Sequence, residues 1–276
     1  MSEATVIARP TSFSVAFALL PAPQREAIRA VHAWSRAVDD AVDEEPEPER
    51  ARARLALWRR EVDALYGGAP TEGVTRALRP HVERFAIPRT YLDELVNGVE
   101  MDLTQARYGT FEDLRRYCYR VASVVGLICL RIFGEPEERA REYAESLGMA
   151  LQLTNILRDV GSDLARGRIY IPLDEMERFG VTEERLRRSE RDGAFHALMR
   201  FQADRARTFF AAAEREVRAL DRKRLLAAEI MAGVYRRLLD RIESSGYDVL
   251  RREVRVPALE RAWIAACTAI VVHATG

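Results

Sequence analysis

The sequence predicts an all-α fold, and three observations predict it. Apolar residues recur at three- and four-residue steps through seven long segments, breakers fall between those segments, and alternating strand patterns are scarce. The segment 22–44 starts at the Pro21/Pro23 pair and ends in the acidic run 44–49. The segment 50–66 ends at Gly67-Gly68-Ala69-Pro70, and 90–106 follows Pro88. The segment 111–133 stops at Gly134 with Pro136, and 139–163 begins beyond them. Past Gly180 come 196–219 and 222–245. The one short alternating stretch is RIYIP at 168–172, directly after a helical segment. No low-complexity linker and no internal repeat interrupts the chain. The expectation is a single domain over 1–276, with helices around one interior and a flexible 1–9.

Composition narrows the function classes. The 276 residues hold 43 basic and 43 acidic side chains, so the net charge is zero and a general nucleic-acid binder is excluded. Hydrophobic residues at 48% can build a sizeable core, which excludes a disordered chain. Lys223 is the single lysine; all other basic residues are arginine, whose planar fork suits diphosphate but whose abundance a GC-rich genome also explains. Cys118, Cys129 and Cys267 lack zinc or disulfide spacing, and the N-terminus lacks a secretory core, so a reducing cytoplasm is expected. The C-terminal AWIAACTAIVVHATG falls short of the ~18–20 apolar residues of a spanning helix. It reads as a core helix or a membrane-surface contact.

Two polar stripes carry the chemistry. In 147–163, Gln152, Asn155, Asp159 and Asp163 recur at three or four steps within an otherwise apolar helix. A buried stripe of this kind needs a cation or donors to satisfy it, so it is expected to face a cavity. In 22–44, Asp39 and Asp43 lie one turn apart, continued by Ser35 and His32, with Arg36 beside them. Magnesium prefers oxygen ligands and is held by a few carboxylates plus substrate phosphates. Two facing aspartate pairs therefore suit Mg²⁺ ions bridging a diphosphate. A di-iron bundle would need Glu-x-x-His pairs, and none occurs.

With these residues in view, DDAVD (39–43), GVEMDL (98–103), YCYRVASVVG (117–126) and QLTNILRDVGSDLARGRIYIP (152–172) resemble the squalene/phytoene synthase family. The resemblance runs from about Ser12 to about Arg255, and its wording is most like bacterial presqualene-diphosphate synthases. It implies an isoprenoid-synthase-type helical bundle around a central cavity. It also implies head-to-head condensation of two prenyl diphosphates: Mg²⁺-assisted ionisation, attack by the second double bond, and cyclopropane closure. Position by position, Asp39, Asp43, Asp159 and Asp163 match the family's metal ligands, for Mg²⁺ or Mn²⁺. Arg36 and Arg158 match diphosphate-binding arginines, and Arg252 a later one. Tyr117 matches the tyrosine held near the reacting carbons. Ser12, Asp102, Gln152, Asn155, Arg168, Tyr170 and Tyr235 match further pocket positions. The apolar lining is expected from Val121, Ala122, Val124, Val125, Leu127, Leu147 and Leu151, with Ser123 and Gly126 leaving room for the isoprenoid chains.

Three positions depart from the family's pattern: Pro10, His32 for tyrosine and Ser162 for glutamate. They leave the metal ligands intact and bear on substrate length and stopping point. The leading expectation is two farnesyl diphosphates giving presqualene diphosphate or a squalene-type product. The alternatives are phytoene from two geranylgeranyl diphosphates and, more distantly, a non-catalytic assembly factor. NADPH use stays open, since relatives that use it lack a GxGxxG unit. A lipophilic product implies delivery towards a membrane, with the C-terminal helix as the contact.

Overall fold

The computed structural model describes residues 14–45 and 47–275; the family matches at Pro10 and Ser12 lie outside them. The expected long helices form. Helix α1 (Ser14–Ala18) leads into α2 (Ala22–Asp43), which buries Ile28, Val31, Trp34, Val38 and Val42 on one face. Helix α3 (Pro48–Gly67) starts on a proline, where the missing N–H is no loss, and buries Leu55, Trp58, Val62 and Leu65. Trp34 and Trp58 meet edge to face with centroids 6.2 Å apart.

Helix α4 (Gly73–Phe85) lies where the sequence pattern shows only breakers, and Pro80 sits inside it. A tertiary contact holds its start. The buried Glu61 carboxylate of α3 accepts from the Thr71 N–H, the Thr71 hydroxyl and the Glu72 N–H. These bonds fix the two residues ahead of the first turn and so set where the helix begins. Helix α5 (Arg89–Thr104) then follows Pro88.

The segment read as one helix over 111–133 is three pieces. A capping box of Thr110 and Asp113 starts α6 (Phe111–Cys118), a π-helical turn spans Tyr119–Ser123, and α7 (Val124–Phe133) ends at Gly134 with φ 75°. Beyond Pro136, α8 (Glu137–Ala165) has 29 residues, a rod of about 44 Å. It is the axis of the molecule: α7, α11, α12 and the π turn all pack on it.

Short helices α9 (Leu173–Arg178) and α10 (Glu183–Arg187) follow, then α11 (Gly193–Glu216) with a 3₁₀ turn at Val217–Ala219, and α12 (Leu226–Ser244). The strand-like 168–172 makes a single parallel bridge, Ile169 to Arg107. Helix α13 (Ala258–Thr275) rests on α12 through Ala265 and Val272, while Leu259, Trp263 and Ile270 are 87%, 71% and 69% exposed. It is thus no core helix. Among the described residues, no helix is long and apolar enough to cross a membrane.

The small residues expected to leave room for substrate do something else. A Cβ at Gly148 would come within 2.6 Å of the Ser123 Cα, and one at Gly126 within 2.8 Å of the Ala144 carbonyl oxygen. Ser123, its hydroxyl donating to the Glu145 carbonyl, is fully buried. These positions let the π turn and α7 lie directly on the backbone of α8. Val124, Leu127 and Leu147 are likewise buried core, whereas Val121, Ala122, Val125 and Leu151 keep partial exposure.

Gly148→Ala is expected to lower stability by about 1–3 kcal/mol, the usual range for overpacking a rigid contact. Gly67→Ala, where a Cβ meets nothing within 4 Å, should change it by less than about 0.5 kcal/mol. Urea unfolding midpoints of the two variants check the difference.

Candidate active site

The stripes of α2 and α8 reach one site because a third carboxylate and an arginine lie between them. Asp102, at the end of α5, lies within electrostatic reach of both Asp39 and Asp163, whose carboxyls are raised first by burial and only slightly by its charge. Arg168, just after α8, reaches back to α2, with Nη1 2.6 Å from the Asp43 Oδ1. Arg166 stands 3.6 Å from the other Asp43 oxygen. The turn that delivers both arginines is built by Gly167 at φ 80° and by the Arg168 N–H donating to the Asp163 carbonyl.

Each aspartate has its own electrostatic setting. Asp39, beside Arg36 (Nη1–Oδ2 3.0 Å), is pushed up to about 6 by burial and by Asp43. Asp159 is held by its sequence neighbour Arg158, Nε donating at 2.7 Å with a second, very short contact from Nη2. Asp163 has no ion pair among the described residues, and burial followed by Asp159 pushes it up to about 7. Gln152 accepts weakly from the Asn155 amide at 3.4 Å. The Asn155 and Arg158 side chains donate towards the buried Tyr235 hydroxyl, joining α12 to the stripe. Arg36 itself is 57% exposed and also pairs with Asp40 at 2.8 Å.

A cluster of phenols closes the other side. Asp102 accepts from Tyr170 at 2.8 Å and from Tyr117 at 3.1 Å. The Tyr117 and Tyr170 rings stack at 5.1 Å, and burial holds the Tyr117 hydroxyl protonated, well above its ordinary range. Asp102 is pushed up to about 6 by burial, against the pull of Arg168 and the two hydroxyls. The sequence pattern missed Tyr108, whose ring lies 5.6 Å from Tyr117 and 5.7 Å from Tyr170. It sits in a loop, without helical spacing. The Arg107–Ile169 bridge, the Arg107 side chain on the Gly167 carbonyl, and the Leu173 and Asp174 N–H groups on the Tyr108 and Gly109 carbonyls bring that loop to Tyr170.

Arg252 stands apart from this convergence. It pairs with Asp248 at 2.9 Å in the segment after α12, and it lines an open polar groove of about 470 Å³ with Arg237, Arg241 and Arg255. That segment crosses α8 at Gly161, where a Cβ would meet the Val249 and Leu250 carbonyls at 2.7 and 2.8 Å.

The donor set suits a hard cation that arrives with phosphate. Every candidate ligand is a carboxylate or amide oxygen, and the buried Asn155 Oδ1 has no hydrogen-bond partner. Among the described residues, no three acidic, histidine or cysteine side chains converge to hold an ion by themselves. Magnesium is commonly bound through one or two carboxylates, with phosphate oxygens and waters completing the shell.

A family model for squalene/phytoene synthase matches residues 8–260. The chain belongs to the squalene/phytoene synthase family. It is 38% identical over 260 residues to the 15-cis-phytoene synthase of Synechococcus elongatus, covering 89% of this chain and 84% of that one. A dehydrosqualene synthase structure superposes with a TM-score of 0.86 at 28% identity, over 95% of this chain and 92% of that one. The squalene synthase HpnC of Alicyclobacillus acidocaldarius gives 0.78 at 30% identity, over 85% and 89%. The all-α bundle and the family read from the four motifs are borne out. The chain is a prenyltransferase of the head-to-head type.

Asp163→Asn is expected to stabilise the protein in the absence of ligand, increasingly as pH rises. Between the unfolded value near 3.8 and the folded value near 7, the native carboxyl keeps a proton that the unfolded chain releases. Each step upward in pH through that window therefore costs the wild type stability. The variant's melting temperature should exceed the wild type's by roughly 5–10 °C at pH 8 and by little at pH 4, as read by scanning calorimetry.

Proposed function

We propose that the chain condenses two farnesyl diphosphates head to head, giving presqualene diphosphate or a squalene-type C30 product, with Mg²⁺ or Mn²⁺ held by Asp39, Asp43, Asp159 and Asp163. The observation that carries this reading is the reach of Arg168, in the turn after the helix of Asp159 and Asp163, to Asp43 on α2, with Asp102 and its two tyrosines in electrostatic range. When bound, the cation would stabilise the negative charge that grows on the departing diphosphate.

The chain's own residues do the rest. Arg36, Arg158 and Arg168 offer guanidinium forks to diphosphate oxygens, with Arg252 at the outer groove and Gln152 and Asn155 as neutral partners. Ser12 is a further substrate contact carried over from the family's pattern. The stacked faces of Tyr117 and Tyr170, with Tyr108 behind them, offer electron-rich surfaces to an allylic cation. Because burial keeps Tyr117 a phenol, it orients and solvates rather than acting as a phenolate base. Asp102, ionised at neutral pH and bonded to both hydroxyls, is the nearby proton acceptor for cyclopropane closure.

A second reading has its own support: the 38%-identical cyanobacterial relative is named a phytoene synthase, which points to two geranylgeranyl diphosphates and a C40 product. Purified protein with Mg²⁺ and either substrate, with and without NADPH, separates the two by mass spectrometry of the extracts. A C30 cyclopropyl alcohol after dephosphorylation, or a C30 hydrocarbon, supports the farnesyl reading. A C40 hydrocarbon made only from the C20 substrate overturns it. Asp39→Asn and Asp159→Asn should each lower kcat by roughly 100-fold or more while the helical circular dichroism is unchanged.

The product's lipophilicity also gives the exposed face of α13 a role as a peripheral membrane contact. Leu259, Trp263 and Ile270 align there at helical spacing with Arg251, Arg252 and Arg255 exposed beside its start. A double Leu259→Glu, Trp263→Glu variant should lose sedimentation with anionic vesicles and keep its melting temperature. Unchanged sedimentation would remove this assignment.

A further inference from the structure

Three of the four stripe carboxylates are already paired with an arginine the proposed chemistry needs elsewhere; the Arg36–Asp39 pair is exposed, and the other two are shielded from solvent. Asp43 is held by Arg168, whose side chain is 12% exposed against 20% for the aspartate. Asp159 is held through both oxygens by Arg158, with side chains 26% and 21% exposed. Neither pair is a surface ornament. Separating partners at this depth without replacing them leaves an uncompensated charge, which is strongly unfavourable.

The local geometry of the Arg158–Asp159 pair is informative. Adjacent residues on a helix point in different directions and do not ordinarily face each other. Here the long arginine must curl back on its neighbour to make a two-pronged contact. The same guanidinium also faces the Tyr235 hydroxyl and feels Glu253 of the crossing segment. The group therefore has another direction to turn. Arg168 likewise lies between two acceptors, bonded to Asp43 and attracted by Asp102. Among the described residues, Asp163 has no ion pair and the Asn155 Oδ1 no hydrogen-bond partner to give up.

We propose that Arg158 and Arg168 are exchangeable counter-ions, which hold Asp159 and Asp43 in the ligand-free protein and transfer to diphosphate oxygens as a divalent cation takes the carboxylates. This rests on the metal–diphosphate reading of the site. A cation alone meets Asp43 and Asp159 with their charge already balanced. A diphosphate alone meets arginines already engaged. Together, each ligand releases the partner the other requires, so each raises the other's affinity by the same factor. The exchange also protects the site: without both ligands, no bare carboxylate pair and no free guanidinium pair is left in the half-buried interior.

The test follows Mn²⁺ binding to the full-length chain by electron paramagnetic resonance at fixed free Mn²⁺, without and with inorganic pyrophosphate. In the wild type, pyrophosphate should tighten Mn²⁺ binding about tenfold or more. Arg168→Gln and Arg158→Gln should bind Mn²⁺ alone several-fold more tightly than the wild type, yet gain little from pyrophosphate. A uniform change in the site's field would shift both conditions in the same direction, whereas the exchange shifts them in opposite directions. Circular dichroism verifies folding, and Arg168→Lys, which keeps the charge, should retain part of the coupling. If the glutamine variants bind Mn²⁺ alone no better than the wild type, the arginines are fixed structural partners and the exchange is overturned while the metal reading stands. If the folded wild type binds no Mn²⁺ even with pyrophosphate, the metal–diphosphate reading fails and the exchange with it.

Discussion

Carboxylates drawn into a half-buried site must be given counter-charge, and that requirement organises this molecule. Asp39 and Asp43 on one side and Asp159 and Asp163 on the other are linked electrostatically through Asp102, and burial raises Asp39, Asp102 and Asp163 into the range of about 6 to 7. Arginines answer from three directions: Arg36 from the same face of α2, Arg158 from α8, and Arg166 and Arg168 from the turn after it. The protein carries this unfavourable arrangement in the middle of an otherwise apolar bundle. Sites that bind highly charged ligands are where such local violations of packing rules are expected.

The rest of the fold serves to hold that arrangement still. Helix α8 is buried by neighbours along its length, and its contact with the π turn is so close that Gly148 has no space for a methyl group. The π turn directly follows Tyr117 and Cys118, so the same stretch packs on α8 through Ser123 and presents Tyr117 to Asp102. On the far side, Arg205 bonds Glu175 and Gln202 while lying over the ring of Phe111, 3.9 Å from its centroid. Phe111 opens the helix that carries Tyr117, and Glu175 lies five residues after Tyr170. One buried guanidinium thus ties together the two chain segments whose phenols share Asp102.

The site was legible in the sequence to the extent that it lies on helices. Asp39 with Asp43, and Gln152, Asn155, Asp159 and Asp163, share faces because the helical repeat of 3.6 residues fixes which side chains align. The two motifs that carry those faces, with GVEMDL and YCYRVASVVG elsewhere in the chain, then identified the family. Spacing on one helix says nothing about where a second helix points. It was the turn at Gly167 that brought Arg168 to Asp43, and the loop bridge at Arg107–Ile169 that brought Tyr108 and Tyr170 together.

The sequence by itself determined the helical class, the two polar stripes, and the positions of breakers such as Pro88 and Gly134, because those depend on local periodicity and backbone stereochemistry. Tertiary structure decided what local rules cannot encode. The start of helix α4 is anchored by Glu61, on another helix, which holds the N–H groups of Thr71 and Glu72 just ahead of it. Gly126 and Ser123 serve close helix packing rather than substrate room, since whether a small residue faces a neighbour or a cavity depends on what lies opposite. The pairing of Asp43 with Arg168 was settled in the same way, by the approach of segments far apart in the chain.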